Sequence, residues 1–256
     1  MPGVNFQRTY ELGDLYKKSK ERAIQILGQF LKFSNLITFN DIDRSVTFTT
    51  ERLIPDISTK RPRVMLLFSN PHPYSVYQGM FLSPTTKGKE SLFWSAMRDA
   101  GWIIINEAKP DPKQLADICL NLQYQGPFEL IFYCYYAFPT SYPEEIRKIF
   151  GKEYFRKDIE PEAMEEIHKT IQETNVKAIV TFNKGIFNLV SADPIGLYIN
   201  RLMKGKIIQS KVTGIDREIP VFLTFPTGWR YHKDHQLHRR NSLSAIRTAI
   251  CKKSEE

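Results

Sequence analysis

From residue 63 to residue 224 the chain alternates short, continuous apolar runs with longer segments whose apolar residues recur every three to four positions. The runs cover 64–68, 102–106, 129–135, 177–182 and 220–224. Runs of that length without polar alternation suit strands covered on both faces. The helical periods fall at 89–100, 112–123, 143–150, 161–174, 183–190, 194–203 and 242–252. Several open on proline, which suits a first helical turn because its missing N–H has no intrahelical partner there. Strands that alternate with helices predict an α/β fold, a three-layer αβα sandwich with a central mostly parallel sheet. Residues 206–213 and the run at Pro220 predict a hairpin across 214–218.

Upstream, Ala23, Ile24, Ile26, Leu27, Phe30 and Leu31 share one face of a helix expected over 15–33. Residues 36–50 alternate weakly, as a short hairpin would. Residues 1–62 are therefore expected to be an N-terminal helical extension packed on a domain of residues 63–256, with frayed ends before Tyr10 and after Cys251.

Composition narrows the class. The 256 residues carry 36 Lys and Arg against 28 Asp and Glu, a net charge of +8, which favours a polyanionic partner. The cysteines, Cys119, Cys134 and Cys251, have neither disulfide nor zinc spacing and read as reduced thiols of a cytoplasmic, intracellular protein. No apolar run reaches membrane-spanning length, and the first residues lack a signal-peptide core. There is no P-loop and no G-x-G-x-x-G, so no nucleotide cofactor is expected. A monomer with DNA as partner is the resulting expectation.

Two loops stand out, because open sheets of this kind bind ligands outside the carboxyl ends of their strands. The first, FSNPHPYSVYQGMF at 68–81, follows the first long run. It is either a loop packed on the domain or a pocket for something flat. The second, TFPTGWRYH at 224–232, follows the last run and leads into WRYHKDHQLHRR at 229–240. Basic groups interleaved with aromatics suit a phosphate backbone beside a splayed base. Three histidines lie there at a spacing of three, but no matched carboxylate set accompanies them, so no metal is assigned.

These residues resemble the uracil-DNA glycosylase superfamily. Residues 68–72, Phe-Ser-Asn-Pro-His, match a first motif of the form G-x-N-P-G, and Gly79-Met80-Phe81 matches the element that follows it. Phe225-Pro226-Thr227-Gly228 stands at the second motif, H-P-S or N-P-S-G. Residues 130–146 and 160–187 look like the family's middle strand with its exit and the following helix, strand and turn. The resemblance spans 63–250. Phe68 and His72 replace motif glycines, Phe225 replaces His or Asn, and Tyr133 and Cys134 stand where many members carry an Asn.

The resemblance implies a DNA glycosylase that hydrolyses the N-glycosidic bond of a damaged, deaminated base. Asn70 would position water and His72 would assist the leaving base. Phe81 would stack on that base, while Ser69, Tyr74, Tyr77 and Cys134 wall the pocket. Thr227, Gly228, Trp229, Arg230, Tyr231, Lys233, Arg239 and Arg240 would hold DNA, with Trp229 or Tyr231 as wedge and Lys184 at a second phosphate contact. The alternative is a member of the same fold that binds DNA without cleaving it.

Overall fold

The computed structural model describes residues 4–28, 36–83, 91–106 and 110–255. The chain starts with β1 (Asn5–Glu11), α1 (Tyr16–Leu27), β2 (Ile37–Asn40) and β3 (Ser45–Glu51). Then come β4 (Arg63–Phe68), α2 (Pro73–Gln78), α3 (Leu92–Asp99), α4 (Pro112–Leu120) and β5 (Glu129–Cys134). After them follow α5 (Pro143–Phe150), α6 (Lys152–Tyr154), α7 (Glu160–Thr174), β6 (Ala178–Thr181) and α8 (Lys184–Val190). The chain closes with α9 (Ile199–Met203), β7 (Ile208–Lys211), β8 (Pro220–Leu223) and α10 (His235–Glu255).

The main sheet has the order β5-β4-β6-β8-β7. The first four strands are parallel, and β7 adds an antiparallel edge through the expected hairpin. The apolar runs have no polar alternation because both faces are covered. Val64, Leu66, Phe68, Phe132 and Val180 pack with Phe93 and Met97 of α3, Leu115 of α4 and Ile246 of α10. Met65, Leu67, Ile131 and Ile179 face the other way, against Ile149 of α5, Ile167 of α7 and Phe187 of α8. The fold is thus mixed α/β, a mostly parallel five-stranded sheet with helices around it, an arrangement compatible with a three-layer sandwich.

The N-terminal part is not the expected helical extension. Its described residues form a three-stranded antiparallel sheet, β1-β3-β2, with the helix α1, led in by a 3-10 turn at Gly13–Leu15. The hairpin β2–β3 falls where weak alternation placed it. Residues 5–11 do not fray, because they pair with β3 along seven positions, from Asn5 opposite Glu51 to Glu11 opposite Ser45. Tyr10, Val46 and Phe48 join the same apolar cluster as Met65 and Leu67. The Tyr10 and Phe138 rings both meet Phe48 edge-on at 4.8 Å.

Other boundaries move for local reasons. Residues 102–106 form no strand; Ile104 makes one isolated bridge to Gln125, and the Trp102 indole instead donates to the Leu243 carbonyl at 3.0 Å. The helix expected from Pro194 is short and begins at Ile199. The last helix begins at His235 rather than near Ser242, and it continues through Glu255 instead of fraying after Cys251. The predicted ends of two helices, 29–33 and 89–90, lie outside the described residues.

Candidate functional site

The exits of β4, β5, β6 and β8 share the carboxyl edge of the sheet. Backbone bonds carry the pairing beyond the strands. Tyr135 N–H donates to Phe68 O at 2.9 Å, Tyr136 N–H to Ser69 O at 2.8 Å, and Thr224 N–H to Thr181 O at 3.0 Å. Further out, Thr140 N–H donates to Pro71 O at 3.1 Å.

Asn70 sits in this edge, half-buried. Its Nδ2 donates to the Thr140 carbonyl oxygen at 2.6 Å and to the Thr140 hydroxyl at 3.0 Å. Its Oδ1 accepts from the Ser69 hydroxyl at 3.0 Å. The amide is therefore oriented from its nitrogen end, and an amide oxygen has a second lone pair beyond the one Ser69 uses.

The stretch after Pro71 is not an open loop but the helix α2. Pro73 occupies its first turn, and the extended backbone at His72 caps it, Nδ1 accepting from Tyr74 N–H at 3.2 Å. Gly79 ends it at φ +74°, a left-handed conformation that glycine adopts without a Cβ clash. Desolvation pushes the His72 pKa below its ordinary value, with Glu145 pulling the other way. Tyr74 is half-buried and Tyr77 exposed.

Phe81 departs from its expected place. Its residue surface is 1% exposed, and its ring packs on Phe68 at 5.6 Å and Phe132 at 5.7 Å. At 1% exposure it offers no uncovered face to a base in this conformation. Cys134 is likewise buried, and desolvation, helped by Glu51, raises its thiol well above the usual range.

Glu51 is a group the sequence did not single out. The antiparallel bridge of Leu53 to Phe132 sets it beside Cys134. Its carboxyl is buried, and Oε2 has no hydrogen-bond partner among the described residues. Burial raises its pKa well above the carboxylate range. A glutamate ending a polar strand reads as solvated, so no sequence signal marked it.

The exit of β8 carries the basic segment. Trp229 is only 5% exposed and stacks on Phe225 at 4.5 Å, so it is a buried anchor. Tyr231, 94% exposed, is the aromatic side chain free to meet a ligand. Arg230, Lys233 and Arg240 are also exposed in this segment, as is Gly228, and Thr227 is half-buried. Arg239 also departs from expectation. It is 1% exposed, and its Nη2 donates to Pro226 O at 3.0 Å and Trp229 O at 2.7 Å. Desolvation, with Arg230 adding repulsion, lowers its pKa to about 10. Arg239 shapes the turn from beneath and cannot contact phosphate in this conformation.

Lys184, half-buried, opens α8, whose cap is Asn183 accepting from Ile186 N–H at 3.1 Å. A hollow of about 440 Å³ lies next to it between Tyr136, Arg147 and Asn183. A larger hollow, about 870 Å³, lies at the opposite edge, where β4, β6 and β8 begin. Its arginines are occupied there: Arg61 donates to Tyr124 O and Gly126 O, and Arg217 to Val176 O.

The chain matches no protein-family model and no curated protein sequence. Among the described residues, no helix is long and apolar enough to cross a membrane.

Proposed function

We propose that this chain is a DNA glycosylase built on a three-layer αβα sandwich of the uracil-DNA glycosylase superfamily, acting as a monomer on a deaminated base. The observation that carries the reading is the orientation of Asn70. Its Nδ2 is held by the carbonyl and the hydroxyl of Thr140 and by Pro71 O, so the second lone pair of Oδ1 is the polar function we assign to water. A water accepted there would add its oxygen to C1′ as the C1′–N bond breaks. The base departs with the bonding pair and gains the water's proton. An amide is a weak base, so its role is positioning rather than proton abstraction. Extrusion of the base from the stack precedes all of this. Tyr231, exposed in the same segment as the exposed Arg230, Lys233 and Arg240, is the group suited to hold the vacated space.

The test is base release from labelled single- and double-stranded oligonucleotides carrying uracil, hypoxanthine, xanthine or a thymine mismatch, with Asn70→Ala alongside. Release of one of these bases, lost in the variant, supports the reading.

Burial of Phe81 and Trp229 favours a second reading, a DNA-binding member that does not cleave. It predicts salt-dependent binding with no abasic product from any of these substrates.

A further inference from the structure

His232, Asp234 and His238 each present a ligand atom, and all three atoms lie within 4.8 Å of one another. Two come from the turn after β8 and one from the first turn of α10. The approach follows from how that helix starts. His235 N–H donates to His232 O at 3.1 Å and His238 N–H to Asp234 O at 3.0 Å, which folds the turn back over the helix. The His232 and His238 rings meet edge-on with centroids 5.0 Å apart. His232 Nδ1 lies 3.9 Å from Asp234 Oδ2. The middle histidine is not part of the group, since His235 Nδ1 is bonded to His232 O at 3.0 Å. Asp234, which the linear spacing did not connect to the histidines, supplies the carboxylate.

We propose that His232, Asp234 and His238 form a three-ligand site for a divalent transition ion, zinc by preference, with water at the remaining position. Two imidazoles and one carboxylate select zinc, cobalt or nickel over the oxygen-seeking magnesium and calcium. Bonds of about 2.1 Å in a tetrahedral site bring ligand atoms to about 3.4 Å apart, so the trio contracts on binding. The side chains of His232 and Asp234, 33% and 47% exposed, have room to rotate. If His232 binds through Nδ1, the metal displaces the bond that this atom accepts from Asp234 N–H. Arg230 and Lys233 flank the site and weaken it, so affinity rests on the ligand set. The bound ion staples the turn that carries Tyr231 to α10.

The experiment is zinc titration by calorimetry, and cobalt titration by visible absorption, on the full chain stripped with chelator. One ion per chain is expected, with tetrahedral cobalt bands and a higher melting temperature in zinc. Asp234→Asn and His238→Ala should weaken binding by more than about tenfold, since even an outer partner of a ligand is worth that much. His235→Ala should leave it unchanged. Asp234 is exposed, so its conservative variant keeps the fold measurable, and circular dichroism checks each variant. Absence of stoichiometric zinc uptake overturns the site. So does loss of binding in His235→Ala with retention in Asp234→Asn, which marks an adventitious histidine-rich surface.

Discussion

Asn70 Nδ2 and the Thr140 carbonyl oxygen lie 2.6 Å apart, and this bond clamps the exit of β4 to the exit of β5. It also holds the amide with its nitrogen end toward Thr140. Asn70→Asp removes the donor and sets a carboxylate against a carbonyl. That change should lower stability by about 1–3 kcal/mol, the usual effect of leaving a buried acceptor unpaired, read as a shift in urea midpoint. Thr140→Val removes the hydroxyl but keeps the carbonyl, so base release should survive in it and vanish in Asn70→Ala. Full release by a folded Asn70→Ala protein removes Asn70 from the chemistry.

The exposed cations of the β8 exit should act additively on DNA. Changing Arg230, Lys233 or Arg240 singly to Gln is expected to reduce the slope of log affinity against log salt by about 0.9 on duplex DNA. Tyr231→Ala should instead weaken single-strand binding by about 1–3 kcal/mol with the slope unchanged. Fluorescence anisotropy across a salt series separates the two effects.

Arg239 predicts a different pattern because its guanidinium is spent on protein carbonyls. Arg239→Met removes the guanidinium donor from Trp229 O and leaves Pro226 O with the Trp229 N–H alone, and should destabilise by about 1–3 kcal/mol. Arg239→Lys should not restore the lost stability, since an ammonium lacks the planar fork. The salt slope for DNA should stay as in the wild type, whereas a surface phosphate contact at this position would lower it.

Glu51 makes stability depend on pH. Its folded pKa lies well above the unfolded value, so the native state binds this proton more tightly. The associated stability is fully present below an unfolded pKa of about 4.3 and is lost as pH rises through the folded value. Glu51→Gln carries no charge at any pH. Its melting temperature should therefore fall less than that of the wild type between about pH 5 and about pH 8. Equal falls would show that Glu51 does not titrate against the fold.

The legible and illegible parts of the site divide along a physical line. The place of Pro226–Trp229 and Ser69–Pro71 at one edge of the sheet was legible in the sequence because each directly follows an apolar run, and parallel strands put such exits on one edge. His72 as a cap, Phe81 as core and Arg239 as an internal donor were not, because each role depends on a partner far away or on a helix start that local propensity places poorly. His235 begins α10 within a polar, charged stretch, HKDHQLHRRNS, that carries little helical periodicity.

By itself, the sequence determined the central sheet. Runs such as VMLLF and LIFYC are apolar at successive positions, as a strand buried on both faces requires, although the similar run at 102–106 formed no strand. It likewise determined the proline-led starts of α4 and α5 and the hairpin into β8, since these are local rules of backbone and turn. Only the tertiary structure decided that the largely polar segment Asn5–Glu11 is a strand, because its stabilisation is the ladder offered by β3. It also decided that the buried carboxyl of Glu51 stands beside Cys134 and that Asp234 meets His238. Those relationships join residues whose side chains carry no mutual signal along the chain; they exist because packing two sheets and a returning helix leaves each of those side chains one place to go.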